Sequence, residues 1–295
     1  MIPSFLTYVA LLVLLPPAHN EERDKESVRQ EKAVDQQVSW LSRYDIGNKH
    51  PKQFKLPGRL SEASGLAMTD DGRLFCHEDE NGVVYEVDYT SGKVIKYFSV
   101  GKFTIRGDFE GIAIKGPTMY LVSSNGNILE FPEGRNKSWV PYTVYRTPLT
   151  SGNNVEGLTY DSETDCLLLA CKWSPGKGYD GYKAVYEFSL KKKKLSKHPR
   201  FLISLAEVTK KSRGGRFNPS DIARHPVSGT FFIIAANGES IIEISRDGNL
   251  LAQQEIPKKV NPQPEGITFA PDLTMLICND MDGGTGTLTL YPVQK

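Results

Sequence analysis

A short pattern recurs five times in this 295-residue chain: an acidic residue or serine, then glycine or aspartate, then an alternating apolar strand. The copies read SGLAMTDDGRLFCHED, EGIAIKGPTMYLVSSNG, EGLTYDSETDCLLLACKW, SDIARHPVSGTFFIIAANG and EGITFAPDLTMLICNDM, and they begin at Ser64, Glu110, Glu156, Ser220 and Glu265. The steps between their second positions are 46, 46, 64 and 45 residues. A period near 45 with several short strands per unit is typical of β-propeller blades. The pattern therefore predicts an all-β propeller.

Strand counting within the units predicts five blades of four antiparallel strands. The last unit, residues 265–295, has room for only three strands. The segment PKQFKLPG at residues 51–58 resembles the missing outer strand, and its addition would close the ring without an unpaired internal edge. A sixth blade within the 64-residue step is the alternative. Residues 172–184 and 206–218 in that step read as long loops, which favours five.

Composition narrows the class of partner. The hydrophobic content of 39% is enough for a sizeable core, and the 26 glycines and 18 prolines suit many short strands separated by turns. The formal net charge is +1, without the strong basic excess that a nucleic-acid-binding chain carries. We therefore expect no nucleic-acid partner.

The N-terminal region divides into an apolar segment and a charged one. Residues 4–16 form an apolar run that, as a helix, would span roughly 20 Å, less than the roughly 30 Å of a bilayer core. We interpret residues 1–18 as a signal peptide or membrane anchor, residues 19–37 as a charged linker and residues 38–295 as the propeller domain. The protein is then expected to be exported, and to be periplasmic, secreted or anchored to the outer face of the inner membrane.

The residues at the starts of the five inner strands also resemble those of a known family. The succession SGLA, FEGIAI, VEGLTY, PSDIARHP and PEGITF, with CHEDENG after the second strand of the first blade, resembles the SdiA-regulated domain family. The resemblance covers roughly residues 40–294. It implies a bacterial extracytoplasmic β-propeller, similar to phytase-type and NHL-type propellers, often behind an N-terminal membrane segment.

The repeated acids are predicted to converge on one end of the central channel. In a propeller blade the start of the first strand and the end of the second lie on the same face. Oxygen ligands without clustered histidine or cysteine favour calcium over zinc. We therefore predict a Ca²⁺ site near the axis. The expected ligands are Glu110, Glu156, Glu265 and Asp280, with Asp221, Asn279 or Asn237 assisting.

Two other interpretations of these residues stay open. Each glutamate could instead be a structural joint that accepts backbone hydrogen bonds from the next blade or pairs with a basic residue such as Lys172. His77, beside Glu78 and Asp79, is a weak candidate for a catalytic base, although an isolated histidine in a polar loop is usually only solvated.

The sequence favours a non-enzymatic binding protein for a small molecule or a protein, with calcium at the acidic mouth and membrane attachment through the N-terminal segment. No nucleophile elbow, phosphate-binding loop or HExxH motif is present. The alternative is a calcium-dependent hydrolase of phosphoester or lactone substrates. Propellers host both classes, so the fold does not choose between them.

Overall fold

A computed structural model describes residues 39–280 and 284–294. The predicted signal or anchor segment and the charged linker lie outside the described residues. The chain divides into two units, Met1–Val38 and Ser39–Lys295, and the second contains the strands described below. Among the described residues, no helix has both the length and the apolar character required to span a bilayer.

Five antiparallel sheets form five blades, as the repeat predicts. Blade 1 contains β2 (Ala63–Met68), β3 (Leu74–Glu78), β4 (Val83–Asp88) and β5 (Lys93–Val100). Blade 2 contains β6 (Phe109–Lys115), β7 (Thr118–Ser123), β8 (Ile128–Pro132) and β10 (Thr143–Tyr145). Blade 3 contains β11 (Val155–Asp161), β12 (Cys166–Cys171), β13 (Tyr182–Ser189) and β15 (Phe201–Ser204). Blade 4 contains β16 (Asp221–Arg224), β17 (Phe231–Ala235), β18 (Ser240–Ile244) and β19 (Leu250–Glu255).

The fifth blade is completed by the N-terminal end of the domain. Its three C-terminal strands are β20 (Pro264–Phe269), β21 (Met275–Asn279) and β22 (Thr287–Tyr291), and its outer strand is β1 (Lys52–Lys55). β1 pairs antiparallel with β22, with Phe54 opposite Leu288. The predicted closure by residues 51–58 is therefore confirmed. It leaves β22 paired on both sides and joins the two ends of the domain.

Five apolar clusters fill the spaces between neighbouring blades, because each sheet carries large side chains on both faces. The cluster between blades 4 and 5 also takes Leu41, Tyr44 and Ile46 from the segment before β1. The inner strands pack against one another around the ring, and β20 packs against β2. The core is thus a ring of interfaces between blades, which holds the inner strands at fixed positions around the axis.

Glycines at the second position of the repeat allow this close approach. A Cβ atom on Gly157 would lie 2.8 Å from the amide nitrogen of Ile222, and one on Gly266 would lie 3.0 Å from the carbonyl carbon of Gly65. Contacts that short to backbone atoms cannot be relieved by rotating a side chain. The glycines are therefore required where the inner strands crowd the axis.

The longer third unit contains no sixth blade. Between β15 and β16 the chain forms helix α1 (Leu205–Val208) and two short 3₁₀ turns, Thr209–Lys211 and Arg213–Gly215. Further 3₁₀ turns lie at Leu41–Arg43 and Gly58–Leu60. Two short strands are additional to the blades: β14 (Lys194–Leu195) pairs with β13, and β9 (Trp139–Val140) pairs parallel with β5. The second of these joins blade 1 to the outer part of blade 2.

Candidate functional site: the acidic mouth

Three glutamates begin the inner strands of blades 2, 3 and 5. Glu110 and Glu265 are half-buried and Glu156 is buried, at 4% exposure. Serines take the equivalent places in blades 1 and 4. The antiparallel pairing puts the ends of the second strands on the same face. This end of the channel, called the acidic mouth below, therefore collects carboxylates from blades that are distant in sequence.

Lys172 supplies a positive charge among these glutamates. It directly follows β12, and its Nζ lies 3.0 Å from Oε1 of Glu156. The side-chain amide of Asn154 also donates to this oxygen. Burial raises the pKa of Glu156, and the Lys172 charge opposes that rise. Burial would lower the pKa of Lys172, but the charges of the glutamates outweigh it and hold this pKa above its usual value.

Glu110 and Glu265 both have raised pKa values. Burial, then the charge of Glu156, raises the pKa of Glu110 to about 9. The same two causes raise the pKa of Glu265 to about 8. Lys172 opposes both shifts, but a single ammonium group cannot neutralise three carboxylates. At neutral pH the mouth therefore holds protons that a cation could displace.

Asp221 occupies the glycine position of blade 4 and lies fully inside the protein. Its Oδ1 accepts a hydrogen bond from the amide of Ile222, and its Oδ2 accepts one from the amide of Ile267 in blade 5, both at 2.8 Å. The amide of Leu158 in blade 3 also donates to it. Burial raises the pKa of Asp221, and these amides oppose that rise. Its carboxylate is thus engaged as a joint between three inner strands.

The remaining predicted ligands are Asn279, Asp280 and Asn237, and the charge of Asp280 contributes to the raised pKa of Glu265. Asn279 is fully buried, and its Nδ2 donates to Oδ1 of Asn261 and Oγ1 of Thr287. Asp280 accepts a hydrogen bond from Nε2 of Gln263 at 2.9 Å. Asn237 is exposed, and its backbone carbonyl accepts from the amide of Asn218. The structure therefore places these three side chains in different surroundings.

His77, the weak catalytic candidate, is fully buried. Its Nδ1 lies 3.0 Å from the carbonyl oxygen of Glu78, and burial lowers the pKa of the imidazole to about 4. The ring lies over Gly65, where a Cβ would come within 2.6 Å of Nε2. The ring is neutral at pH 7 and has no solvent-facing surface, which is a poor position for a general base.

A group that was not predicted as a metal site lies on blade 1. Oxygens of Glu62, Glu78 and Asp79 all lie within 4.8 Å of one another. In residues 39–280 and 284–294 this is the one group of three or more acidic, histidine or cysteine side chains with that spacing. Two oxygens bound to the same Ca²⁺ at 2.3–2.6 Å are at most about 5 Å apart. The spacing thus suits one calcium ion.

The sequence did contain a signal for this group. The hairpin of blade 1 pairs Ala63 with Glu78, so Glu62 and Asp79 follow on adjacent chains beyond that pair. Burial raises the pKa of both Glu78 and Asp79, and neighbouring acids add to each shift. The group therefore extends the negative charge of the acidic mouth to the edge of blade 1.

The opposite end of the channel is a separate cavity of about 550 Å³, lined by the second halves of all five inner strands. Two of its charged lining groups are paired: Arg224 Nε lies 3.0 Å from Oδ1 of Asp161, and Lys115 pairs with Asp165. Asp70, a third charged lining group, is exposed.

No family model and no curated protein sequence matches the chain. Solved structures with similar folds include a luciferin-regenerating enzyme, 12% identical with a TM-score of 0.52, over 82% of this chain and 95% of that one. Another is the glutaminyl cyclase of Myxococcus xanthus, 14% identical with a TM-score of 0.53, over 83% of this chain and 96% of that one. The neighbours are β-propeller-type proteins. Identities this low show the fold alone.

Proposed function

We propose that this protein is an extracytoplasmic binding protein that holds a divalent cation, Ca²⁺, at its acidic mouth. The observation that carries the proposal is the close grouping of the oxygens of Glu62, Glu78 and Asp79. Carboxylate oxygens are the ligands that Ca²⁺ takes, and burial raises the pKa values of Glu78 and Asp79.

The axial glutamates have a different role in this proposal. Lys172 already pairs with Glu156, so this position has an internal cation. Burial raises the pKa values of Glu110 and Glu265 to about 9 and about 8, so these carboxyl groups gain negative charge, and attract a cationic ligand, as the pH rises above neutral. An ion at the set predicted from the sequence, Glu110, Glu156, Glu265 and Asp280, would have to compete with the Lys172 ammonium group that pairs with Glu156. We therefore place the ion on blade 1 first.

Calcium titration of the purified full chain tests this proposal. The melting temperature should rise with Ca²⁺, because an ion that binds only the folded state stabilises it by about 2.7 kcal/mol at 100 times its Kd. Glu78→Gln with Asp79→Asn should abolish the rise, and Glu110→Gln should only reduce it. Glu130→Gln is the matched control, because Glu130 is a half-buried glutamate of blade 2 that pairs with Lys193. A melting temperature unaffected by Ca²⁺ in the wild type would refute the cation site.

A calcium-dependent hydrolase is less well supported. A phosphoester substrate requires basic groups beside the metal, and two candidates are already engaged: Lys172 pairs with Glu156, and Arg213 pairs with Glu239 at 2.9 Å. His77 is buried and neutral. Turnover of phosphoesters or lactones that depends on Ca²⁺ and is lost in Glu78→Gln would replace the binding proposal with the hydrolase.

Export and membership of the SdiA-regulated family are proposed on the sequence alone. The apolar run at residues 4–16 and the succession of strand openings support them. Expression of the full chain in a bacterium, followed by fractionation and mass determination of the mature N-terminus, tests the export. Recovery of the uncleaved chain in the cytoplasm would contradict it.

A further inference from the structure

Several exposed apolar side chains belong to the outer strands of blades 1 and 2 and the loops beside them. Of the large hydrophobic residues with high exposure, five lie between residues 95 and 144. They are Ile95 at 59% exposure, Phe103 at 84%, Trp139 at 50%, Tyr142 at 40% and Val144 at 44%. Exposed apolar groups that are concentrated in one place mark an interaction site, whereas scattered ones are normal.

Two chain segments bring the aromatic residues of this region together. β5 and β9 run in parallel, with Ser99 opposite Trp139, and the amide of Gly101 donates to the carbonyl of Val140 at 2.8 Å. A Cβ atom on Gly101 would lie 3.2 Å from Cε1 of Tyr142 and 3.4 Å from the carbonyl oxygen of Phe103. Phe103, Trp139 and Tyr142 thus belong to one surface.

The same segments are strongly basic, although the whole chain is nearly neutral. Residues 93–106 and 132–146 contain seven Lys or Arg and one acid, Glu133. That glutamate pairs with Arg73 and Lys96. Lys102 and Lys137 are exposed and flank the aromatic residues. We call Lys102, Phe103, Lys137, Trp139 and Tyr142 the aromatic–basic surface.

We propose that the aromatic–basic surface docks on the headgroup region of an anionic phospholipid membrane. Trp and Tyr are preferred at the membrane interface, and lysines next to them attract acidic headgroups. Phe103, at the tip of the loop after β5, has the exposure required to enter the acyl boundary. The formal net charge of the chain is only +1, without the broad basic excess of a nucleic-acid-binding protein, which favours a membrane over a nucleic acid.

Vesicle co-sedimentation of the full chain tests this proposal. Binding should increase as phosphatidylglycerol is added to phosphatidylcholine vesicles and should fall with salt. Phe103→Ser should weaken it roughly tenfold. Lys102→Gln with Lys137→Gln should weaken it roughly 30-fold, from about fivefold per basic residue. An apolar N-terminal segment without basic residues would bind vesicles independently of the anionic lipid. The dependence on anionic lipid therefore distinguishes binding by the aromatic–basic surface from binding by that segment.

Matched controls lie elsewhere on the propeller. Val227 is 58% exposed, and the nearby Arg224 and Arg246 are paired with Asp161 and Glu163. Lys191 and Lys192 are exposed in a turn of blade 3. Val227→Ser and Lys191→Gln with Lys192→Gln should leave vesicle binding unchanged. The proposal would be overturned if vesicle binding has no part that depends on anionic lipid, or if that part survives both sets of surface variants. Two other outcomes would also overturn it in a chain that binds no vesicles. One is a dimer that Phe103→Ser dissociates, and the other is polynucleotide binding that the lysine variants abolish.

Discussion

The carboxylate of Asp221 accepts a hydrogen bond at 2.8 Å from the backbone amide of Ile267, which belongs to the neighbouring blade. Its other oxygen accepts from Ile222 at the same distance, and Leu158 of the preceding blade also donates to it. The innermost strand of each blade has no neighbouring strand on the side of the axis, so its backbone amides on that side need another acceptor. The Asp221 side chain accepts hydrogen bonds from such amides on three inner strands. A residue that interrupts the glycine pattern of the repeat therefore joins the blades at the axis.

Asp221→Asn is expected to destabilise the protein. Both carboxylate oxygens accept amide hydrogens, so an asparagine would direct its NH₂ group at one of those donors. The buried mismatch should lower the free energy of unfolding by about 1–3 kcal/mol. Urea unfolding measures the change, and Asp247→Asn, in an exposed turn of blade 4, is the control. Equal stability of the two variants would show that Asp221 is not a joint.

The stability of the calcium-free protein should fall between about pH 7 and about pH 9, above the range in which histidines titrate. Glu110 and Glu265 have pKa values raised from 4.5 to about 9 and about 8, so the folded state binds more protons than the unfolded state in this window. The free energy of unfolding then decreases as pH rises.

Glu110→Gln with Glu265→Gln should flatten this dependence, because glutamine cannot ionise, and should stabilise the protein near pH 9 by on the order of 2 kcal/mol. Glu187→Gln, beside Arg200 in blade 3, should retain the wild-type slope. Urea unfolding at several pH values tests both expectations. A wild-type stability that rises across the window would contradict the assigned proton uptake.

Lys172→Met is expected to destabilise the protein and to tighten calcium binding at the mouth. Removal of the ammonium group leaves Glu156 buried without its charge partner, which should cost about 1–3 kcal/mol, less than for a fully buried pair because Lys172 is partly exposed. The same change removes a competing cation. Melting curves with and without Ca²⁺ measure both effects. Arg200→Met, which removes the charge partner of Glu187 in blade 3, is the control. A calcium-linked stabilisation that is smaller than in the wild type would argue against competition.

Gly157→Ala should impair folding much more than Gly58→Ala. The new Cβ at residue 157 would lie 2.8 Å from the Ile222 amide nitrogen, whereas nothing lies within 4 Å of one at residue 58. Overpacking against backbone should cost about 3 kcal/mol or more, since the inner strands must separate. Thermal unfolding of the two variants compares them directly. Similar melting temperatures would show that the axis can expand.

Much of the architecture could be predicted from the residues alone. The alternation of apolar positions and the interval near 45 residues are local properties of the chain, and they indicated five blades. The missing fourth strand of the last unit pointed to residues 51–58, and β1 does pair with β22. Which residues form strands depends on their neighbours in the sequence, so these predictions do not depend on contacts between distant residues.

The candidate site was only partly predictable, because its properties depend on side chains from different blades. The sequence placed Glu110, Glu156 and Glu265 around one axis, but it could not show that Lys172 pairs with Glu156. It also grouped Asp221 with the metal ligands, although its oxygens accept backbone amide bonds.

Consecutive residues encode the fold, because the repeat of strands is a local pattern. The charge state and partner of each acid, and the meeting of Glu62 with Glu78 and Asp79, arise only in the folded ring. The physical reason is that pKa values and ion pairs depend on distance and burial. In a closed ring these are set by the packing of all five blades together.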